Sequence, residues 1–465
     1  MEAVLDISEL RRRGRRVCIL GFGRSGLGAA RLLLAGGVAV RLLEREVDDV
    51  RRAAWERLGQ QGAQLRAGPH DAEALEGAAL LIRSPGVPAD APILEAARER
   101  RIPIRAELAL AAAQIHTPLL AVTGTNGKST TTAWAAHLLR RAGLPGVAAG
   151  NIGRSLSQAV LEEPEGAIFV AEISSFQLED CPELRPHSAA ILNIAPDHLD
   201  RHGSLEAYRA SKWSLARNQT GDDWLVLGES VRPPAGLQPA ARVARFAHED
   251  PGGACAAFVA GEQLVYREGQ HAAALIERRA LSLPGPHNLA NALAAVCLVA
   301  PLVKERRALA RGLRDFPGLP HRLEPAGEVG GVRFVNDSKA TNVESLRVAL
   351  QSFPEPVVLI AGGLDKGGQF EAIGDLVAER VRHLVLVGAA AERLRRAWPN
   401  VPAQRAEDFR DAVRRALAAA DGSGVVLLSP GCASFDLFRD YEERGAVFKA
   451  LVAELAGAGA RGETA

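Results

Sequence analysis

Residues 119–130 read LLAVTGTNGKST. A short apolar run gives way to glycine and small polar residues, and a lysine with two hydroxyls then opens an Ala/Leu-rich helical pattern. Strand, glycine-rich loop and helix in that order let backbone amides and the helix N-terminus cradle phosphate oxygens. Lys128 is then placed to neutralise β- and γ-phosphates, and Ser129 to ligate Mg²⁺. The spacing is GxxGKS rather than GxxxxGK[ST], with Val122 where the longer motif has its first glycine.

The same cadence recurs on both sides of this stretch, which predicts an α/β chain of β-α units around parallel sheets. VCILGFG, VAVRLLE, ALLIRSPG and IPIRAE form a first group, giving a domain over residues 1–108. The phosphate loop, AIFVAEISS, AAILNIAPD, WLVLGE and the helical HNLANALAAVCLVAPLV form a central domain over 109–318. Its stretch 230–285 alternates as short antiparallel strands do, predicting a small antiparallel sheet beside a mostly parallel one. VRFVNDS, PVVLIAGG, HLVLVGA and VVLLSPG form a third domain over 319–465, ending in a frayed tail, AGAGARGETA.

Bulk properties narrow the function. A chain of 465 residues exceeds what one core supports, consistent with three domains. With 47% hydrophobic residues, 24% charged residues and a formal charge of +1, it carries no basic field for nucleic acid. The five cysteines are scattered without a CxxC pair, against a disulfide framework or structural zinc. No apolar run is long enough for a membrane span, and the first residues lack a secretory pattern, so a cytoplasmic protein is expected. Only six of the fifty-six basic residues are lysines. Three of them stand in glycine-rich or polar loops, Lys128, Lys339 and Lys366, where a compact ammonium does what a guanidinium cannot.

Further motifs follow strands. GFGRSG (residues 21–26), with Glu44 closing the next strand, fits a dinucleotide fingerprint, and equally a nucleotide sugar whose pyrophosphate sits at the helix N-terminus. Glu172 ends a buried strand where a carboxylate can hold Mg²⁺ or cap a helix. Asp197, His198, Asp200 and His202 offer metal or proton-transfer groups, although Asp200 and His202 read individually as a solvated turn. Asp337, Lys339 and Thr341 in NDSKATN can meet a nucleotide or cap a helix, and Lys366 and Ser434 in GGLDKGG and SPGCASFD can grip a carboxylate.

GTNGKST, GNIG, EISSFQLE, LNIAPDHLD, the lysine of YRASKWS, GPHNLANALAA, LPHRLE, NDSKATN, GGLDKGG and SPGCASFD, in this order, resemble the Mur ligase family. Within it, the last four motifs and SPGVP are most similar to the branch joining D-glutamate to UDP-N-acetylmuramoyl-L-alanine. The resemblance implies a Rossmann-like nucleotide-sugar domain, a central P-loop ATPase domain and a Rossmann-like amino-acid domain. It also implies a cytoplasmic monomer acting in peptidoglycan precursor synthesis. ATP would phosphorylate the acceptor carboxylate and the amine of glutamate would displace phosphate.

By the same resemblance, ATP is held by Gly124, Thr125, Asn126, Gly127, Lys128, Ser129, Thr130, Asn288 and Asn291. His321, Arg322, Asp337 and Lys339 join them when the third domain closes. Two Mg²⁺ ions fall to Ser129 and Glu172, and to His198 and a carbamylated Lys212. The UDP-substrate falls to Gly23, Arg24, Ser25, Glu44, Ser84, Pro85, Gly86, Asn151, Ser174 and His198. Glutamate falls to Thr341, Lys366, Ser434, Phe435 and Tyr441, the last standing where the family has phenylalanine. Catalysis is assigned to Lys128, Lys212 and His198. Competing readings are another Mur or folylpolyglutamate-type ligase, an NAD-dependent oxidoreductase, which leaves the phosphate loop without a role, and a nucleotide switch without chemistry.

Overall fold

The computed structural model describes residues 5–283 and 285–460, apart from the side chains of Val50, Asp200 and 458–460. These residues divide into two compact units, one ending at Phe316 and the other beginning at Pro317.

The first unit holds two sheets. One has five parallel strands, β1 (Arg16–Leu20), β2 (Ala39–Glu44), β3 (Gln64–Ala67), β4 (Ala78–Arg83) and β5 (Ile104–Ala106), in the order β3-β2-β1-β4-β5. The other comprises β6 (Leu120–Thr123), β7 (Gly146–Gly150), β8 (Ile168–Glu172), β9 (Ser188–Ile191), β10 (Trp224–Gly228), β11 (Arg242–Phe246), β12 (Cys255–Ala260), β13 (Gln263–Glu268) and β14 (His271–Glu277). Its order is β14-β13-β12-β11-β10-β9-β6-β8-β7, parallel from β7 through β12. The antiparallel strands expected between residues 230 and 285 are β12 to β14, and they extend the edge of this same sheet.

Central strands of parallel sheets are covered on both faces, so they lose the alternation of a half-exposed strand. β6, β8 and β10 are buried at every position. Over β9 to β12 lies the helix Pro286–Val299, whose leucines, valines and alanines are buried nearly all round, as a helix inside a core must be. One continuous apolar cluster runs from Ile19 of the first sheet and Leu10 and Leu33 of the helices beside it through Leu110 and Leu156 to Ile191 and Leu225 of the second. Helix Arg24–Ala35 contributes Gly28, where a β-carbon would fall 2.1 Å from Ser155 Oγ. The two sheets are therefore joined by packing rather than by a tether alone.

Gly26 shows how tightly the first turn is built. A β-carbon there would stand 1.9 Å from the Gly21 carbonyl oxygen, a backbone atom that cannot swing away. Gly26→Ala is expected to cost about 1–3 kcal/mol by overpacking, read as a lowered midpoint of thermal unfolding. An unchanged midpoint would show that the turn opens freely.

The second unit has one sheet of six strands: β15 (Glu324–Val329), β16 (Val332–Asn336), β17 (Val357–Gly362), β18 (Val381–Val387), β19 (Ala403–Arg405) and β20 (Gly424–Leu428). The order is β15-β16-β20-β17-β18-β19, with only β15 antiparallel. Helix Tyr441–Ala460 takes in the first part of the alanine-glycine tail that the sequence marks as frayed, because its inner face packs Phe448, Leu451 and Val452 into the core. Residues 461–465 of that tail lie outside the described residues. In open parallel sheets the crevices for ligands form at the carboxyl ends of strands where the winding direction reverses. Here those ends carry residues 21–26 and 84–86, residues 124–130 and 193–198, and residues 337–342, 363–368 and 429–436.

Candidate active site

The loop after β6 is shaped by two glycines in conformations that L-residues avoid, Gly124 at φ +153° and Gly127 at φ +84°. A β-carbon on Gly127 would meet Asn291 Oδ1 at 2.2 Å. Asn291 is thus buried against the loop from the helix Pro286–Val299, on which Asn288 is buried too, and Thr131 Oγ1 donates to Asn291 Oδ1 at 3.3 Å. Asn193, just beyond β9, accepts from the amides of Thr125 at 3.1 Å and Asn126 at 2.9 Å and donates to the Asn126 carbonyl at 3.1 Å. The Ala195 amide donates to Thr125 Oγ1 at 3.0 Å. These bonds fix the loop in the open curve that a phosphate needs, and the sequence reading passed over Asn193.

Lys128 begins the helix Lys128–Arg141, and its Nζ donates to the carbonyls of Gly124 at 2.9 Å and Thr125 at 2.8 Å. Ser129 and Thr130 are buried in the first turn. Lys212 reaches the same loop from the helix Leu205–Trp213. It is 1% exposed, donates from Nζ to the Gly124 carbonyl at 2.9 Å and sits 4.3 Å over the Tyr208 ring. Burial first, and the neighbouring Lys128 next, push its amine down to about 7 against the pull of Asp197. A lysine amine that is about half neutral at neutral pH can act as a nucleophile toward CO₂.

Glu172 closes β8, one strand away from the loop, and Val122 is its register partner. It is 3% exposed; Oε1 accepts from Asn151 Nδ2 at 2.9 Å, while buried Oε2 has no partner. An unpaired buried carboxylate oxygen is costly unless a cation meets it. No cluster of three or more His, Cys, Asp or Glu suited to a metal exists among the described residues. One carboxylate and one serine hydroxyl beside a phosphate loop suit Mg²⁺, which keeps most of its waters and takes the rest of its ligands from phosphates. Glu172 caps no helix. Ser174 does, accepting from the Gln177 amide while Gln177 closes the box onto the Ser174 amide.

His198 has φ +51° and a half-exposed ring that lies 4.9 Å from Phe176, with Nε2 3.6 Å from Asp197 Oδ2. His202, expected in a solvated turn, is instead a buried side chain stacked on Phe176 at 5.3 Å, with Ser175 Oγ 2.9 Å from Nε2. Gly203 at φ +75° ends the short helix Leu199–His202 and lets the ring fold under. The Asp200 side chain lies outside the described residues.

At the first sheet, Gly23 precedes the helix Arg24–Ala35 and Ser25 is half-buried in its first turn. Glu44 Oε2 accepts from the Phe22 amide at 2.6 Å, tying the end of β2 to the glycine turn. Ser84 Oγ donates to the Gly21 carbonyl at 3.1 Å, which brings residues 84–86 alongside that turn. Arg24 Nη1 donates to the Gly153 carbonyl at 2.8 Å and Arg201 Nη1 to the Pro85 carbonyl at 2.9 Å, so the nucleotide-sugar positions and the Asn151 loop share one edge.

In the second unit, Asp337 Oδ2 accepts from Ser429 Oγ at 2.8 Å and Oδ1 from the Leu323 amide at 3.2 Å. Burial raises its acid to about 7 despite those bonds and nearby Arg322. It does not cap the following helix, a role taken by Asn342. His321, at φ +62°, lies with Nδ1 3.0 Å from Asn336 Nδ2, and the Lys339 amide donates to its carbonyl at 3.0 Å. Lys339 Nζ is 5.6 Å from the Tyr441 ring, and the Thr341 amide donates to the Lys339 carbonyl at 2.9 Å. Lys366 Nζ stands 5.0 Å over the exposed Phe435 ring, beside buried Ser434. The residues expected to meet nucleotide and amino acid in this unit therefore share the carboxyl edge of one sheet.

Comparison with known proteins agrees with this arrangement. Residues 15–106 match the family "Mur ligase MurD-like, N-terminal domain", 122–299 "Mur ligase middle domain" and 321–432 "Mur ligase, glutamate ligase domain". The UDP-N-acetylmuramoylalanine--D-glutamate ligase of Symbiobacterium thermophilum is 40% identical over 452 residues, 95% of this chain and 98% of that protein. The protein of that name from Nitratidesulfovibrio vulgaris is 41% identical over 449 residues, 96% of this chain and 98% of its own. Among solved structures, UDP-N-acetylmuramate-alanine ligase MurC of Thermotoga maritima superposes with a TM-score of 0.59 at 19% identity, covering 94% of this chain and 98% of that one. With three family domains in order and full-length relatives of that similarity, the chain belongs to the Mur ligase family.

Proposed function

We propose that this chain is an ATP-dependent ligase that forms the amide between D-glutamate and the alanine carboxylate of UDP-N-acetylmuramoyl-L-alanine, releasing ADP and phosphate. In this reading residues 1–108 take the UDP-substrate, 109–318 ATP and 319–465 glutamate, and the protein serves peptidoglycan precursor synthesis as a cytoplasmic monomer. The observation that carries it is the pair of lysines on one carbonyl. Lys128 and the desolvated Lys212 both donate to Gly124 at the mouth of a phosphate loop, beside an unpaired buried carboxylate oxygen. No helix among the described residues is long and apolar enough to cross a membrane.

A carboxylate is a poor acyl donor until one oxygen becomes a good leaving group, and phosphorylation by ATP does this. The substrate's own negative charges then oppose the encounter, so positioning and charge neutralisation dominate catalysis. Lys128, the amides of residues 124–130, and Asn288 and Asn291 hold the triphosphate. Glu172 Oε2 and the Ser129 hydroxyl would hold one Mg²⁺, which when bound would draw charge from the phosphate oxygens. The neutral Lys212 amine would add to CO₂, losing a proton, and the resulting carbamate with His198 would hold a second Mg²⁺. His321, Arg322, Asp337 and Lys339 are assigned to the nucleotide. Thr341, Lys366, Ser434, Phe435 and Tyr441 are assigned to glutamate. Gly23, Arg24, Ser25, Glu44, Ser84 to Gly86, Asn151, Ser174 and His198 are assigned to the acceptor.

The test is ADP formation by the purified protein with Mg²⁺, UDP-N-acetylmuramoyl-L-alanine and each enantiomer of glutamate. Turnover is expected only when acceptor and D-glutamate are both present. ADP release indifferent to the amino acid, or none with any acceptor, would reject the reading.

A further inference from the structure

Arg444 lies in the first turn of the helix Tyr441–Ala460, three residues beyond Tyr441 and outside the motifs that the sequence singles out. Its side chain is nevertheless 3% exposed. Nε donates to Ser338 Oγ at 2.9 Å, Nη2 to the Ser338 carbonyl at 2.8 Å and the Cys432 carbonyl at 3.3 Å, and Nη1 to the Cys432 carbonyl at 3.2 Å. A β-carbon on Gly363 would lie 3.3 Å from Nη1, so the guanidinium also floors the third loop. The three loops that it touches are NDSKATN, GGLDKGG and SPGCASFD, which carry Thr341, Lys366 and Ser434.

All the acceptors are neutral oxygens, and among the described residues no carboxylate pairs with it. A buried cation with no ion pair in contact is expensive, and burial pushes the guanidinium down to about 10 against the pull of Cys432 and Asp436. A methionine or leucine would fill the same volume without that cost, so packing alone does not account for the residue. The nucleotide side of the edge is fixed separately, since Asp337 is held by Ser429 and the Leu323 amide. Residues 430–433 are otherwise tied by backbone bonds, from the Gly362 amide to the Pro430 carbonyl at 3.0 Å, from the Gly431 amide to the Ala340 carbonyl at 2.9 Å and through the paired bridge between Leu364 and Ala433.

We propose that Arg444 is a positioning residue for the amino-acid substrate: its planar fork locks residues 338, 363 and 432 into one rigid floor and sets a positive charge beneath the pocket that receives an anionic amino acid. It touches no reacting atom and acts through Ser434, Lys366 and Thr341. The proposal rests on the assignment of those residues to glutamate.

The experiment compares wild type, Arg444→Lys and Ser338→Ala. Lysine keeps the charge and loses the fork, and removal of the Ser338 hydroxyl deletes two bonds, one from Arg444 Nε and one to the Tyr441 carbonyl at 2.8 Å, so a folded variant is available whichever is less stable. The Michaelis constant for D-glutamate is expected to rise about tenfold in Arg444→Lys and severalfold in Ser338→Ala, as loss of charge-assisted hydrogen bonds implies, while those for ATP and acceptor stay within about twofold. An unchanged glutamate constant, or all three rising together, overturns the proposal. Amide exchange without substrates judges the floor independently. Residues 429–434 should exchange faster in Arg444→Lys while β20 stays protected; unaltered exchange refutes the clamp. If wild type shows no glutamate-dependent turnover the functional reading fails, and the exchange result still decides whether the floor exists.

Discussion

Lys128→Ala is expected to lower ATP-dependent turnover on the order of 10³-fold, with the fold intact. The side chain lies over the surface of the loop, bonded to two carbonyls that its own backbone segment supplies, so removing it opens no cavity in the core. What is lost is a fixed positive charge at the point where a triphosphate must approach another anion. Arginine should not restore the rate, because the pocket beside Gly124 already holds Lys212 and a guanidinium is broader and planar. Steady-state ADP formation with thermal unfolding as a control checks this. Near-normal activity in a folded variant would remove the phosphate role from Lys128.

Lys212→Ala is expected to lose about 10²- to 10³-fold in rate, and short carboxylates such as formate or acetate should restore part of it. The free acid stands in for the carbamate in the space left by the side chain, which no added amine could do. An amine at about 7 is roughly nine-tenths neutral at pH 8, whereas an ordinary lysine is under one-hundredth neutral there. Stability carries a second signature. Between about 7 and the usual lysine value the unfolded chain binds a proton that the native chain has shed, so this residue makes unfolding harder as pH rises through that window. Isosteric Lys212→Met should flatten that rise. A folded variant that stays inactive with every carboxylate would contradict the carbamate, and an unaltered pH slope would contradict the desolvated amine.

How far these features could be read from the chain depends on whether their causes are local. The phosphate loop was legible because strand, loop, lysine and helix follow one another in sequence, and β6 with the helix Lys128–Arg141 keeps that order. The three sheets were legible from runs such as VVLIAG, whose unbroken burial in β17 is the mark of a covered parallel strand. Asn193 was not, because its partners are residues 125 and 126 and they meet only through the pairing of β6 with β9. Nothing in LNIAPD distinguishes that asparagine from an ordinary strand end. His202 was misjudged for a similar reason, since Phe176 and Ser175, which bury it, come from a different element. Arg444 was hidden by the same composition that exposed the lysines. Where nearly every basic residue is arginine, one more draws no notice, although this one is buried and bridges three loops.

The central claim is that the loop after β6 serves to turn a carboxylate of the acceptor into an acyl phosphate before nitrogen attacks. Acceptor labelled with ¹⁸O in its alanine carboxylate, turned over with ATP, Mg²⁺ and D-glutamate, tests this directly by mass analysis of the phosphate released. Each phosphate should carry one labelled oxygen, because the bridging oxygen leaves with phosphorus when the amide forms. Amide formation accompanied by phosphate free of label would contradict the account.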